Sequence, residues 1–143
     1  MSPKKHNTST EDLKKAILSD EEKKEYQSDK FSKIEAQVKD ALTRQATDDA
    51  LRDISIGALI VGSSDVHYEC FDGYVIVRFR IDGILVDIFR LTHPQYKKII
   101  ERLKYAAALK LNISNIPQDG KYSLNIDEDK KIDVRVSTLP IHF

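Results

Sequence analysis

Between Phe31 and Leu42 the apolar residues Phe31, Ile34, Val38 and Leu42 recur at spacings of three and four. That spacing predicts an amphipathic helix whose solvated side carries Lys33, Glu35, Lys39 and Asp40. Upstream, Asp20–Lys30 is so charged that it reads as exposed helix or linker. Ser9 or Thr10 can cap a further short helix with Leu13, Ala16 and Ile17 on one face. The first eight residues are polar and are expected to be disordered. A third helix is predicted from Thr47. Asp48 and Asp49 suit its positive end, and Leu51, Ile54, Ala58, Leu59 and Val61 line one side until Gly62 ends it.

Past Gly62 the period changes from 3.6 to 2. Val66–Phe71, Tyr74–Ile81 and Ile84–Phe89 read as strands, and Asp72-Gly73 and Asp82-Gly83 are hairpin signals that make them a meander. Pro94 suits a first helical residue, and Tyr96, Ile99, Ile100, Leu103 and Ala107 carry that helix to about Lys110. Ile116–Gly120 reads as a turn-rich loop. Strands Tyr122–Ile126 and Ile132–Ser137 follow, joined by the acidic turn Asp127-Glu128-Asp129. The expected class is α+β: an antiparallel meander plus a further hairpin in a two-layer arrangement, helices packed on one face, and N-terminal helices in front. Residues 1–46 are read as tail and accessory helices and 47–143 as the α/β domain.

Two-residue hairpins fix which residues face each other. His67 should oppose Arg78, Asp65 should oppose Arg80, and Arg78 should oppose Asp87. One face then carries Asp65, His67, Glu69, Arg78, Arg80 and Asp87. The other carries Val66, Tyr68, Val75, Val77, Phe79, Ile81, Val86 and Ile88 as core. Two readings of the charged face stay open at this point. It is either a set of weak cross-strand pairs in water, or a place where Arg78 or Arg80 reaches a phosphate with a forked guanidinium.

Composition narrows the chemistry. The 143 residues hold 23 basic and 23 acidic side chains, so any anion site must be local and a nucleic-acid partner is disfavoured. The single Cys70 fits a reducing compartment. No apolar run approaches the ~20 residues that cross a bilayer, and no signal peptide opens the chain, so a cytoplasmic location is expected. The histidines at 6, 67, 93 and 142 and Cys70 lack metal-ligand spacing, and no metal is expected. No G-x-x-x-x-G-K-[ST] loop occurs, so the fragment is expected not to be an enzyme by itself.

Four motifs in order carry a family resemblance: SDVHYE (64–69), VRFRIDG (77–83), PQDG (117–120) and DVRVSTLP (133–140). Together they resemble the N-terminal (N2-type) domain that precedes the motor domain in the ATPases of type II secretion and type IV pilus assembly. The likeness runs from about residue 48 to 140. It implies a hexameric parent ATPase that uses ATP and magnesium. It also implies packing against the motor domain of its own or a neighbouring subunit. Arginine from this domain would approach the nucleotide's phosphates and couple nucleotide state to inter-domain motion. By position, Arg78 is the first candidate, Arg80 the second and Arg135 the third, with Asp65, His67, Glu69 and Asp87 as the supporting face. The resemblance further implies an inner-membrane platform or cytoplasmic adaptor as partner, and a location peripheral to the inner membrane without insertion.

Three departures bear on this. Cys70 stands where the family has proline, Lys121 where it has arginine, and Ser114-Asn115-Ile116 where it has a basic segment. The family would also continue past Phe143 into the motor, so the chain is expected to be an excised domain or truncated homologue, and monomeric alone. The alternative is a free-standing small-ligand or protein-docking module with no link to an ATPase.

Overall fold

The structure, a computed structural model, describes residues 19–140, with side chains for all of these except 22–26. The short helix expected around Leu13–Ile17 lies outside the described residues.

The charged stretch from Asp20 is helix. It continues into the amphipathic segment as one element, α1 (Asp20–Thr43). Ile34, Val38, Ala41 and Leu42 form its buried stripe. Ion pairs one turn apart, Glu35–Lys39 at 2.6 Å and Asp40–Arg44 at 2.9 Å, lie along its wetter side. Helix α2 (Thr47–Ile60) starts at the predicted residue. Gly57 is where the two helices approach closely: a Cβ there would stand 2.8 Å from the Ile34 side chain.

Both helices end in the same six-residue device. Gln45 takes φ 58 and Gly62 takes φ 81. The next amide reaches back in each case, Ala46 to the Ala41 carbonyl and Ser63 to the Ala58 carbonyl, both at 2.8 Å.

The meander is β1 (Asp65–Phe71), β2 (Tyr74–Ile81) and β3 (Ile84–Leu91), in that spatial order. At Asp82-Gly83 both residues have positive φ, the signature of a type I′ turn. At Asp72-Gly73 only the glycine does. The observed register gives Asp65↔Arg80, His67↔Arg78 and Arg78↔Asp87, as the spacing predicts. β3 runs two residues beyond the expected Phe89, and the register slips by one between Val77 and Arg78. That bulge lets consecutive residues Ile88 and Phe89 both be buried, which a period of 2 cannot do.

Helix α3 (His93–Ala106) begins one residue before Pro94. Thr92 is its cap: the Thr92 hydroxyl accepts from the Gln95 amide at 3.2 Å, and the Gln95 side chain accepts from the Thr92 amide at 2.9 Å. The helix stops four residues short of the expected Lys110, and Ala108 at φ 56 reverses the chain there.

The segment read as a loop up to Gly120 is strand from Gln118. β4 (Gln118–Asn125) pairs with β5 (Lys131–Thr138) in a second, two-stranded sheet. Local composition hides this strand, because Pro117, Asp119 and Gly120 are turn formers whose conformation is set by contacts with distant residues.

One core joins these parts. Phe79, Ile54, Ile99, Val38, Val61, Val75 and Val77 are its largest fully buried side chains, drawn from the meander and all three helices. Val136 brings the second hairpin into the same cluster. The fold is therefore α+β, with helices on one face of the meander.

Candidate functional site

The face of the meander opposite the helices carries the charged residues. Arg78 sits on the central strand between two carboxylates. Its Nε donates to Asp87 Oδ1 at 2.6 Å and its Nη1 donates to Glu69 Oε2. Hydrogen bonding to Asp87 raises the Arg78 pKa further above its ordinary value. Only 24% of the Arg78 side chain is exposed. Arg80 is held more loosely: one carboxylate, Asp65, lies 3.1 Å from its Nε, and 42% of its side chain is exposed. His67 faces Arg78 in register but makes no described bond to it.

The third candidate lies elsewhere. Arg135 is on β5, opposite Lys121, and both are exposed. The structure thus brings Arg78 and Arg80 together on one strand face and leaves Arg135 on the other sheet.

Sequence reasoning missed the aromatic half of the outer face. Phe71 and Tyr74 flank the Asp72-Gly73 turn and stack with centroids 5.2 Å apart. The Arg90 guanidinium lies over Tyr74 at 4.4 Å, and that of Arg78 lies 6.0 Å from the Phe71 ring. Ile76, in register with Glu69 and Arg90, is buried at 5% exposure although it lies outside the main core cluster. The signal is present in the chain: once β2 and β3 are registered, Ile76 can only share a face with Arg78.

The motif residues of the second hairpin serve the fold. Gln118 clamps the segment after α3. Its side chain accepts from the Lys110 amide at 2.8 Å and donates to the carbonyls of Lys110 and Ile113 at 3.0 Å each. Asp119 accepts from the Ser137 hydroxyl at 2.6 Å, tying PQDG to DVRVSTLP. Gly120 lies so close to the end of α3 that a Cβ would stand 2.5 Å from the Ala107 carbonyl oxygen. Arg52 of α2 holds the far end, donating to the carbonyls of Asn125 (2.5 Å) and Ile126.

On the core side, burial pushes the Tyr68, Tyr96 and Tyr122 hydroxyls and the Cys70 thiol up in pKa. The Cys70 thiol lies beside Tyr96, and the Tyr122 hydroxyl beside Ser55. Among the described residues no group of three His, Cys, Asp or Glu side chains could hold a metal ion. No described helix is long and apolar enough to cross a membrane.

Fold and site together define a small α+β module whose meander carries an ion-paired arginine face. Comparison with known proteins gives its family. The model of the family described as "Type II/IV secretion system protein" matches residues 40–143, and the chain belongs to that family. It is similar to type II secretion system protein E of Pectobacterium carotovorum subsp. carotovorum, 38% identical over 81 residues, which are 57% of this chain and 16% of the relative. It is 41% identical over 81 residues to the protein of the same description from Dickeya dadantii, again 57% of this chain and 16% of the relative. It is also similar to the type IV pilus assembly ATPase PilB of Pseudomonas aeruginosa, 38% identical over 85 residues, 59% of this chain and 15% of the relative. The chain thus spans about 16% of the length of the curated relatives it matches.

Proposed function

We propose that this chain is the domain of a secretion or pilus-assembly ATPase that lends arginine to a nucleotide held by the motor domain of its own or a neighbouring subunit in a hexamer. The observation that carries this reading is the outer face of the meander, where Arg78, held by two carboxylates, and Arg80, beside one, share a strand face. An arginine offered to a γ-phosphate stabilises charge that develops in the transition state, and does so best when it is already oriented. Its approach and withdrawal would couple nucleotide state to domain motion. ATP and magnesium would belong to the motor, and a membrane platform or cytoplasmic adaptor would receive the motion at the inner membrane.

The geometry favours Arg80 over Arg78 for the phosphate. Arg78 is already matched by two carboxylates, so a phosphate would have to displace one of them. Arg80 meets Asp65 through Nε, which leaves both Nη groups for an incoming anion. Arg78 then serves as the brace that holds Glu69 and Asp87 away from the ligand.

The test is Arg80→Ala in the longer protein that carries the nucleotide-binding domain. ATP turnover should fall about 10²-fold, with smaller losses for Arg78→Ala and Arg135→Ala. Turnover unchanged in Arg80→Ala would overturn the assignment.

A further inference from the structure

The second hairpin sets two cations against each other. Lys121 of β4 and Arg135 of β5 are partners in the register. At the turn the Ile126 amide donates to the Lys130 carbonyl at 2.8 Å, so these two form a hydrogen-bonded pair. By alternation Lys121 and Arg135 are a non-hydrogen-bonded pair, the kind that brings side chains closest, with Cα atoms ~4.5 Å apart. Like charges directly opposite one another destabilise a sheet. The register cannot slip to separate them, because Tyr122, Val134 and Val136 on the other face pack against the core.

The neighbouring carboxylates do not relieve this pair. Asp119 and Asp133 flank it on the same face, one on each strand. Asp119 Oδ1 accepts from the Ser137 hydroxyl at 2.6 Å, and Asp133 Oδ1 accepts from the Ser123 hydroxyl at 3.2 Å. Each carboxylate is thus turned across the ladder to a serine. The Lys121 and Arg135 side chains are exposed and make no ion pair or hydrogen bond among the described residues. In this Arg135 differs from the other arginines. Arg44, Arg78, Arg80 and Arg102 each meet a carboxylate, Arg52 meets two carbonyls and Arg90 lies over Tyr74.

We propose that Lys121 and Arg135 form a binding site for a phosphate group, separate from the arginine face of the meander. Two adjacent cations match a group that carries about −1.5 to −2 charge, whereas one carboxylate would leave a cation unmatched. Arg135 offers a planar fork to two phosphate oxygens, and Lys121 a point charge to a third. The hairpin is held at both ends, by the Gln118 clamp and by Arg52 at Asn125 and Ile126, so little freedom is lost on binding. Ser123 and Ser137 act indirectly, by keeping two carboxylates off the cations. The site does not depend on an arginine of the meander meeting a nucleotide.

The test is a nuclear magnetic resonance titration of the 143-residue chain with inorganic phosphate and with tripolyphosphate, against chloride at equal ionic strength. Saturable shifts should centre on Lys121 and Arg135. Arg135→Gln and Lys121→Gln should each weaken binding about tenfold. Ser137→Ala, which frees Asp119 to turn toward Arg135, should also weaken it, and Asp119→Asn should strengthen it. Without phosphate, Arg135→Gln should raise the denaturant midpoint, because it removes the like-charge pair. Tighter binding of tripolyphosphate assigns the site to a polyphosphate chain, and equal binding assigns it to a lone phosphate. Shifts that chloride reproduces, or that lie on the meander alone, overturn the proposal. So does Arg135→Gln binding as wild type does. A tetraglutamate peptide that binds the hairpin more tightly than tripolyphosphate overturns it too, and gives the pair to an acidic partner chain.

Discussion

Arg78 and Asp87 face each other across β2 and β3, and the Arg78 Nε donates to Asp87 Oδ1 at 2.6 Å. The pair is partly sheltered by its neighbours, since Glu69 takes a second donor and the Phe71 ring lies 6.0 Å from the guanidinium. An exposed ion pair adds little to stability; what this one fixes is orientation. The expected signature is a protected Arg78 Nε–H resonance at neutral pH that disappears in Asp87→Asn, with the melting temperature within about 2 °C of wild type. A resonance that exchanges equally fast in both proteins would refute the brace.

Gly120 of PQDG is required by the fold. A Cβ at this position would meet the Ala107 carbonyl oxygen at 2.5 Å, and that oxygen belongs to the backbone at the end of α3. Backbone cannot rotate aside as a side chain can. Gly120→Ala is expected to cost about 1–3 kcal/mol, read by urea denaturation of the chain. A variant as stable as wild type would show that β4 can move away from α3.

Two helix ends use residues unsuited to their backbone. Gln45 and Ala108 adopt φ 58 and 56, where an L side chain costs ~1–2 kcal/mol. Glycine removes that strain but loses more entropy on folding, ~0.5–1 kcal/mol. Ala108→Gly and Gln45→Gly should therefore each gain about 0.5–1 kcal/mol, measured as a raised denaturant midpoint with unchanged slope. A fall in the midpoint would contradict the left-handed assignment.

Alkaline pH should loosen the fold. Burial raises the pKa of Tyr68, Tyr96, Tyr122 and Cys70 in the folded state above their ordinary 10.0 and 9.0. For a raised pKa, the stabilising contribution is complete below the unfolded value and is lost as pH rises through the folded one. Stability should thus hold from neutral pH to about 9 and then decline. Melts from pH 7 to 11, beside a tyrosinate absorbance titration, check this. Constant stability to pH 11 would place these hydroxyls in water.

The 143-residue chain should show no ATP turnover of its own, assayed with magnesium present. Turnover that persists through repeated purification would relocate the chemistry into this domain.

The strand register is legible in the chain alone, because two Asp-Gly turns leave one way to pair the strands that keeps Val75, Val77 and Phe79 on one face. The start of α2 at Thr47 is legible from its acidic first turn and apolar spacing. The β-bulge that buries both Ile88 and Phe89 is not, since a bulge inserts one residue without changing composition. The first residues of β4 are hidden for a related reason. Pro117, Asp119 and Gly120 have turn preferences, and the strand there depends on Ser137, Ala107 and the clamp made by Gln118.

The alternation of faces, the helix spacing and the four motifs that mark the family are all written in the linear chain, because each is a matter of residues near one another along it. The register already sets Asp87 opposite Arg78 and Asp65 opposite Arg80; the second carboxylate on Arg78 is settled by packing. Spacing puts His67 opposite Arg78, yet Glu69 reaches it diagonally from β1, and Arg90 of β3 finds Tyr74 of β2. The direction in which a long side chain leans is set by what lies beside it after folding, and spacing along the chain does not record that.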